Sequence, residues 1–172
     1  MRLFLHCKSL EIREVAYHDL QPVLQIYRQC EDFLRLGPEP IASMAMVLKD
    51  IGSSRHECRK FCCVFTTGGQ MIGVVDFVPR NFKGNPHAAF LSLLMIASPF
   101  RRRGFGTAVV ELVENEIKRD ARITILLTGV QVNNPQARQF WQKMGYDIAD
   151  KAQLQPDRMI AFRLRKDIDR LA

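Results

Sequence analysis

An apolar run, a loop that contains arginine and glycine, and an amphipathic segment follow one another without a break. Ala88 to Ile96 is almost continuously apolar, which is typical of a central strand buried on both faces. The apolar residues beyond the loop recur at three- and four-residue steps and predict a helix; they are Phe105, Val109, Leu112, Val113 and Ile117. Arg122 to Val130 then predicts another buried strand, so this part of the chain predicts a βαβ-like unit.

Earlier residues predict a strand, two helices and a hairpin. Leu10 to Leu20 first alternates apolar and polar residues like a strand, and helical spacing follows in Gln21 to Leu36 and in Pro40 to Gly52. Two β-rich runs, Lys60 to Thr66 and Met71 to Val78, are separated by the turn residues TGGQ. Two such runs around a glycine-containing turn predict a β-hairpin.

The last third of the chain predicts a further helix and two late strands. Gln136 to Met144 has helical spacing and ends at Gly145, as a C-terminal glycine cap would end it. Tyr146 to Ala149 and Arg158 to Arg165 are short β-rich runs. The chain has 172 residues and neither a repeat nor a linker, so we expect residues 1–172 to form a single domain.

The composition disfavours several classes of protein. The longest apolar run is about half of the roughly 18 residues that a membrane span needs, and the start of the chain lacks a cleavage site for a signal peptide. We therefore expect a cytoplasmic protein with no membrane partner. The five cysteines are an odd number without a CxxC pair, so we predict free thiols and no metal site.

The loop after the first apolar run joins three arginines to two glycines. Gly104 and Gly106 would let a ligand approach the backbone, and the free N–H groups of the following helix attract an anion. A phosphate there would also meet Arg101, Arg102 or Arg103. The net charge of +7 leaves three interpretations open: a nucleic-acid surface, a solvated charge run, or a pocket for a phosphate-bearing small molecule.

Two motifs make this chain similar to a known family. RRRGFG, from Arg101 to Gly106, resembles the Arg/Gln–x–x–Gly–x–Gly/Ala motif of the GNAT superfamily of acyl-CoA-dependent N-acetyltransferases. VQVNNPQARQFWQKMGY, from Val130 to Tyr146, resembles that family's Val–xxx–Asn–xx–Ala–xxx–Tyr–xxx–Gly–Phe block. The order of the predicted elements also fits over nearly the whole chain. The resemblance implies an α+β fold (α/β-type GNAT fold), with a mixed, mostly antiparallel central sheet flanked by helices on both faces.

The resemblance also implies where acetyl-CoA, the acyl donor, would bind. Backbone amides of the loop from Arg101 to Thr107 would hold the pyrophosphate, and the end of the preceding strand would pair with the pantetheine arm and polarise the thioester carbonyl. Asn134 matches the asparagine that contacts the cofactor. The implied cofactor-binding residues are Leu94, Met95, Ile96, Arg101, Arg102, Arg103, Gly104, Phe105, Gly106, Thr107, Asn134, Ala137 and Trp141.

Two positions depart from the family pattern, and both concern proton transfer. Trp141 replaces the tyrosine that often protonates the departing thiolate, and an indole does not ionise near neutral pH. The strand before the loop lacks the frequent glutamate and has Ser92 as its polar residue. Asp76 is the leading candidate for the catalytic base, because a carboxylate in an apolar strand faces a cleft or a partner unless it faces solvent. His87 and Glu39 are further candidates.

The preferred interpretation is an N-acetyltransferase that transfers an acetyl group from acetyl-CoA to a primary amine by direct attack. The predicted helices Gln21 to Leu36 and Pro40 to Gly52 would line the acceptor side. A domain that binds acyl-CoA without transfer, as a sensor or partner module, is the first alternative. A nucleic-acid-binding domain ranks last, because aromatic residues interleaved with the arginines are nearly absent. We expect a small-molecule or peptide amine as acceptor, and a homodimer is left open.

Overall fold

The computed structural model describes residues 4–7, 10–155 and 158–168, which build one nine-stranded sheet with helices against it. The strands are β1 (Phe4–Cys7), β2 (Leu10–Glu14), β3 (Lys60–Thr66), β4 (Met71–Val78), β5 (Ala88–Ile96), β6 (Ile125–Gln131), β7 (Asp147–Ile148), β8 (Gln153–Leu154) and β9 (Ile160–Asp167). The helices are α1 (Leu20–Arg28), α2 (Glu31–Leu34), α3 (Met44–His56), α4 (Phe105–Lys118) and α5 (Pro135–Lys143).

The sheet is mixed, and a parallel pair of strands lies next to its centre. In space the strands run β1-β2-β3-β4-β5-β6-β9-β7, and β8 pairs with β9. β5 and β6 are parallel and are connected through α4, while the other described pairs are antiparallel. The predicted βαβ-like unit and the mostly antiparallel sheet are confirmed.

Two clusters of buried residues cover the two faces of the sheet. Residues of α4 and the α5 residue Trp141 pack on one face, with inward side chains of β2 to β6. Residues of α1 and α3 pack on the other face against Phe61, Cys63, Val74 and Met95. The central strands are therefore buried on both sides, which is why they read as continuous apolar runs in the sequence.

The predicted helix Gln21 to Leu36 is wrong as a single element. It is interrupted at Cys30, whose backbone has φ −117° and ψ 20°, and it divides into α1 and α2. Cys30 is fully buried, and its thiol lies 3.4 Å from the Ile96 carbonyl oxygen. The second predicted helix begins later than Pro40, because Ser43 caps α3 by accepting a hydrogen bond from the Met46 amide.

Candidate active site

The two central parallel strands pair over only part of their length. β5 and β6 are joined from Ala88 and Ile125 to Leu91 and Thr128, and they separate beyond these residues although both continue. The hydroxyl of Thr128 donates to the carbonyl of Leu91 at 2.9 Å, at the point where the ladder stops. The separation opens a cavity of about 670 Å³.

The end of β5 presents backbone groups to this cavity. The Ala97 amide donates to the Ile72 carbonyl at 2.9 Å, and residues of an antiparallel strand alternate between facing their neighbour and facing away. The backbone groups of Leu94 and Ile96 therefore face the cavity, where the family resemblance places the pantetheine arm. The backbone groups of Met95 face β4 instead, so its backbone does not offer that pairing.

The start of α4 lies at the cavity, where the sequence predicts an anion cradle. Gly104 precedes the helix with φ +82°, and the Ala108 amide makes the first helical bond, to the Gly104 carbonyl. The N–H groups of Phe105, Gly106 and Thr107 consequently have no acceptor within the helix. Gly104, Gly106 and Thr107 line the cavity. Nothing lies within 4 Å of a Cβ built at Gly104, so the left-handed backbone is what favours glycine there.

The guanidinium of Arg101 is held by protein groups. Its Nε donates to the Ile96 carbonyl at 2.8 Å, and both terminal nitrogens donate to the Asp32 carboxylate, one of them at 3.0 Å. Hydrogen bonds from Arg101 hold the pKa of Asp32 below its usual range, and the same bonds raise the pKa of Arg101. Arg101 therefore ties the glycine loop to α2, and its charge is compensated by Asp32.

The other two arginines of the loop point to different surroundings. Arg102 has φ +59°, and its exposed side chain lines the cavity. Arg103 lies over the rings of Phe100 and Phe105, 5.6 and 5.5 Å from their centroids. Arg103 and Phe105 are not among the described residues that line the cavity. Arg101 and Arg102 thus both line the cavity, but Arg101 is held by Asp32.

The first turns of α5 form the opposite wall of the cavity. Asn134 caps this helix, because its Oδ1 accepts a hydrogen bond from the Ala137 amide at 3.0 Å. Its side-chain amide nitrogen remains as a donor. Ala137 and Trp141 also line the cavity, and the Trp141 indole packs edge-on against the ring of Tyr146, with 5.1 Å between ring centroids. Trp141 supplies an apolar wall where the family has an ionisable tyrosine.

Asp76 lies behind the cavity wall rather than in it. Its side chain is buried, so the alternative of a solvent-facing position is wrong. One carboxylate oxygen of Asp76 accepts a hydrogen bond from the Ser54 hydroxyl at 2.7 Å. The other lies 3.1 Å from Nε of Arg59, but these two atoms form an ion pair without an aligned hydrogen bond. Burial raises the pKa of Asp76, and Ser54 and Arg59 oppose that shift. Arg59 also donates to the Ser92 hydroxyl at 3.0 Å, and Ser92 lines the cavity.

Several cavity residues were not named individually in the sequence analysis of the site. Asp32, Phe33 and Leu36 come from α2 and the turn after it, and Gln131 and Asn133 come from the end of β6. The Asn133 side chain donates to the Leu36 carbonyl at 3.2 Å and so bridges the two sides. No described residue of α3 lines the cavity, so the two predicted early helices contribute through α2 alone.

The remaining sequence candidates lie elsewhere. His87 contacts the Arg122 carbonyl, and Glu39 pairs with Lys49 at 2.7 Å. Cys30, Cys62 and Cys63 are buried free thiols and Cys58 is an exposed one, while the side chain of Cys7 lies outside what is described. Over residues 10–155 and 158–168, no cluster of three or more acidic, histidine or cysteine side chains is arranged to hold a metal ion. Nor do the described helices include one long and apolar enough to span a membrane.

The separated strands and the helix start lie where the family resemblance predicts that acyl-CoA binds, and comparison with known proteins identifies the family. A profile of the acetyltransferase (GNAT) family matches residues 20–146, and the chain belongs to this family. It is similar to the Probable N-acetyltransferase san of Drosophila melanogaster, with 33% identity over 66 residues. That match covers 38% of this chain and 36% of the fly protein, so it spans about a third of that relative.

Solved structures share the fold over almost the whole chain. An acetyltransferase of Thermus thermophilus superposes with a TM-score of 0.77 and 18% identity, covering 95% of this chain and all of that one. The ribosomal L7/L12 alpha-N-protein acetyltransferase RimL in complex with coenzyme A gives a TM-score of 0.75 and 14% identity, covering 97% and 99%. The family resemblance and the fold class are thereby confirmed.

Proposed function

We propose that this protein transfers an acetyl group from acetyl-CoA to a primary amine by direct attack. The observation that carries the proposal is the separation of β5 from β6. It places the outward backbone groups of Leu94 and Ile96 and the open start of α4 in one cavity. A phosphate-bearing thioester needs both: donors for an anion at one end and a strand edge along its arm.

The residues present fit the donor along the length of this cavity. Amides of Gly104 to Thr107 would hold the pyrophosphate, with Arg102 as a further cation. The outward groups of Leu94 and the amide of Ile96 would pair with the pantetheine arm, since the Ile96 carbonyl already accepts from Arg101. The Asn134 amide nitrogen would donate from the other side. Ala137 and Trp141 would pack against the arm. When bound, acetyl-CoA supplies the activated acetyl thioester.

The reaction needs little dedicated acid–base machinery. The amine nitrogen forms a bond to the acetyl carbon, the carbon–sulfur bond breaks, the nitrogen loses one proton and the sulfur gains one. The products are an amide and coenzyme A. A thiol has a pKa near about 8.5, so it can leave without an acid, which accommodates Trp141. Asp76 acts on the cavity through Arg59 and Ser92, and we assign it a positioning role in the proposal.

A substitution that fills the cradle tests the donor site. A Cβ at Gly106 would lie 3.5 Å from the Phe140 ring, in ordinary contact, so Gly106→Trp should place its ring in the cavity without breaking the helix. We expect the Kd for acetyl-CoA in calorimetry to rise by about 100-fold, equal to about 2.7 kcal/mol. Gly52→Trp is the matched control, because Gly52 lies in α3 with nothing within 4 Å of its Cβ.

Thiol release over a panel of amines tests transfer. Unchanged acetyl-CoA affinity in Gly106→Trp would show that the donor binds elsewhere. Binding of acetyl-CoA by the wild-type protein without thiol release for any amine would contradict transfer and leave a binding module.

A further inference from the structure

Three hydroxyl side chains of the described residues line the cavity, and they differ in what their hydrogens bind. Thr107 lies in the first turn of α4, at the end proposed for the pyrophosphate. Thr128 donates its hydrogen to the Leu91 carbonyl at 2.9 Å. Ser92 accepts a hydrogen bond from Arg59 at 3.0 Å, and within the described part of the chain its own hydrogen has no protein acceptor. Ser92 can therefore donate to a bound molecule.

Ser92 also lies where the reactive end of a bound thioester would be. The open amides of α4 follow the end of β5, so an arm that starts there runs back along β5, past Ile96 and then Leu94. Ser92 is two residues further, about 6–7 Å along the strand. The paired part of β5 and β6 begins just beyond it, at Leu91 and Thr128. The separation between the strands therefore ends beside the Ser92 side chain.

The backbone at Ser92 departs from the regular sheet. In the β4–β5 register the partners of Leu91 and Leu93 are consecutive residues of β4, so Ser92 is the extra residue of a β-bulge. Bulges bend a strand locally and often re-aim a side chain next to an active site. The bulge thus fits a side chain that belongs to a site as well as to the sheet.

Arg59 makes the Ser92 hydroxyl a stronger hydrogen-bond donor. A hydroxyl that accepts from a charged group is polarised, and hydrogen bonds in a chain strengthen one another where water is scarce. The Arg59 side chain is 16% exposed and is not among the described residues that line the cavity. Asp76 and Glu57, at 3.1 and 3.6 Å, compensate its charge, so the cavity receives a polarised hydroxyl rather than a net cation.

We propose that Ser92 is a catalytic residue that donates a hydrogen bond to the acetyl carbonyl oxygen, with Arg59 as the positioning residue behind it. The inference rests on the proposed function and adds a residue to its mechanism. When the amine nitrogen bonds to the acetyl carbon, one electron pair of the carbonyl double bond moves to the oxygen, which becomes negative. The Ser92 hydroxyl stabilises that charge and keeps its proton. The pair returns to the carbonyl as the carbon–sulfur bond breaks.

Removal of the hydroxyl tests its role in catalysis. A hydrogen bond to an oxyanion is strongest in the transition state, so Ser92→Ala should lower kcat by about 100-fold and leave the acetyl-CoA KM and Kd almost unchanged. Ser92→Thr keeps a hydroxyl and should recover most of the rate. Ser54→Ala is the matched control, because the Ser54 hydroxyl donates to Asp76 at 2.7 Å outside the cavity wall. Its loss should lower kcat much less.

A binding measurement tests the hydrogen bond without turnover. Carboxymethyl-coenzyme A carries a carboxylate beyond its sulfur and has no thioester, so it presents a stable negative charge at the reactive end of the arm. Calorimetry gives the ratio of the Kd for coenzyme A to the Kd for this analogue. That ratio should fall by about tenfold in Ser92→Ala, because a hydrogen bond to a charged group is lost.

The role of Arg59 is tested where both charges of its pair are replaced. In the double variant Asp76→Leu with Arg59→Met, Ser92 keeps its hydroxyl but loses its charged donor, so kcat should fall by about tenfold. Addition of Ser92→Ala to that variant should lower kcat by a further tenfold or so, rather than by about 100-fold, because the hydroxyl is no longer polarised.

The outcomes separate this inference from the proposed function. An unchanged kcat and an unchanged Kd ratio in Ser92→Ala overturn the inference alone. A raised acetyl-CoA KM with an unchanged kcat would show that Ser92 only holds the donor, and it overturns the catalytic assignment. No thiol release by the wild type with any amine overturns the proposed function, whereas a lowered Kd ratio in Ser92→Ala would still support the hydrogen bond from Ser92.

Discussion

Two arginine–aspartate pairs border the cavity, and they differ in burial. Arg101 and Asp32 sit at the rim with side chains 33% and 61% exposed, whereas Arg59 and Asp76 lie behind the wall with 16% and 5%. The pKa of Asp32 is lowered, because its arginine outweighs a small desolvation. The pKa of Asp76 is raised, because burial outweighs both Ser54 and Arg59. The same pair of residue types is therefore found with aspartate pKa values shifted in opposite directions, and the difference in exposure to water determines the direction.

The comparison also separates two functions within one site. The exposed pair joins the glycine loop to α2 and can be broken at small cost, because water replaces either partner. The inner pair holds the Ser92 hydroxyl, and its two side chains are much less accessible to water than those of the exposed pair.

Removing the buried carboxylate should have the largest effect. Asp76→Ala removes the nearer carboxylate of Arg59, at 3.1 Å, and leaves it the exposed Glu57 at 3.6 Å, and we expect urea unfolding to show a loss of about 3 kcal/mol. The double variant Asp76→Leu with Arg59→Met should recover most of that loss, because apolar side chains of similar size replace both charges. A loss below about 1 kcal/mol for Asp76→Ala would mean that the pair is hydrated, like the exposed one.

The pH dependence of stability should have opposite signs in the two regions. Asp50, a half-buried residue of α3, accepts a hydrogen bond from the Tyr27 hydroxyl at 2.7 Å, and desolvation raises the pKa of Asp50. The native protein holds the Asp50 proton more tightly than the unfolded chain does. The stability that Asp50 contributes is therefore greatest below about pH 3.9 and falls as the pH rises through the native pKa of Asp50. Asp50→Asn keeps the Tyr27 bond and should become more stable relative to wild type with rising pH, by at most about 1.4 kcal/mol per unit.

Asp32→Asn is the matched comparison for that measurement. Because the native pKa of Asp32 is lowered, its stabilisation is present above about pH 3.9 and is lost as the pH falls through the native pKa. The variant should therefore become less stable relative to wild type as the pH rises through that window. Denaturant unfolding at a series of pH values from about 2 upward measures both slopes, and slopes of equal sign would contradict the contrast.

The smallest effect is expected from breaking the exposed pair. Asp32→Ala should lower the free energy of unfolding by less than about 1 kcal/mol, since both partners reach water. Concentrated salt should remove most of that difference while leaving the loss in Asp76→Ala almost intact, because screening acts on exposed charges. A larger, salt-independent loss of unfolding free energy for Asp32→Ala would show that the Arg101–Asp32 pair is shielded from water as much as the Arg59–Asp76 pair.

The strands were more predictable than the helices. The predicted runs Lys60 to Thr66, Met71 to Val78 and Ala88 to Ile96 coincide with β3, β4 and β5, because burial on both faces makes their apolar pattern local and unambiguous. The break at Cys30 could not be predicted, since residues on both sides of it keep helical spacing and its buried thiol contacts the distant Ile96. β1 was likewise missed, as a four-residue strand has too few residues for a pattern.

The site residues likewise divide into those that follow from local sequence and those that depend on distant contacts. Gly104 and Gly106 were predictable because a helix start and its preceding turn are written in adjacent residues. Asp32 and Arg59 were not, because their roles come from Arg101 and Ser92, 69 and 33 residues away along the chain. Gln131 was not predicted either, because its place in the cavity wall depends on where β5 and β6 stop pairing.

The separation of β5 from β6 leaves two backbone amide hydrogens of β5 that do not face a paired strand. The amides of Leu94 and Ile96 point into the opening where β6 no longer runs beside β5. Their neighbours Leu93 and Met95 face β4 and lie in an intact ladder. In a deuterium-exchange experiment the strand should thus label in alternation, fast and slow, and slowing of the fast pair by a bound molecule would report occupancy of the cavity without any enzymatic assay.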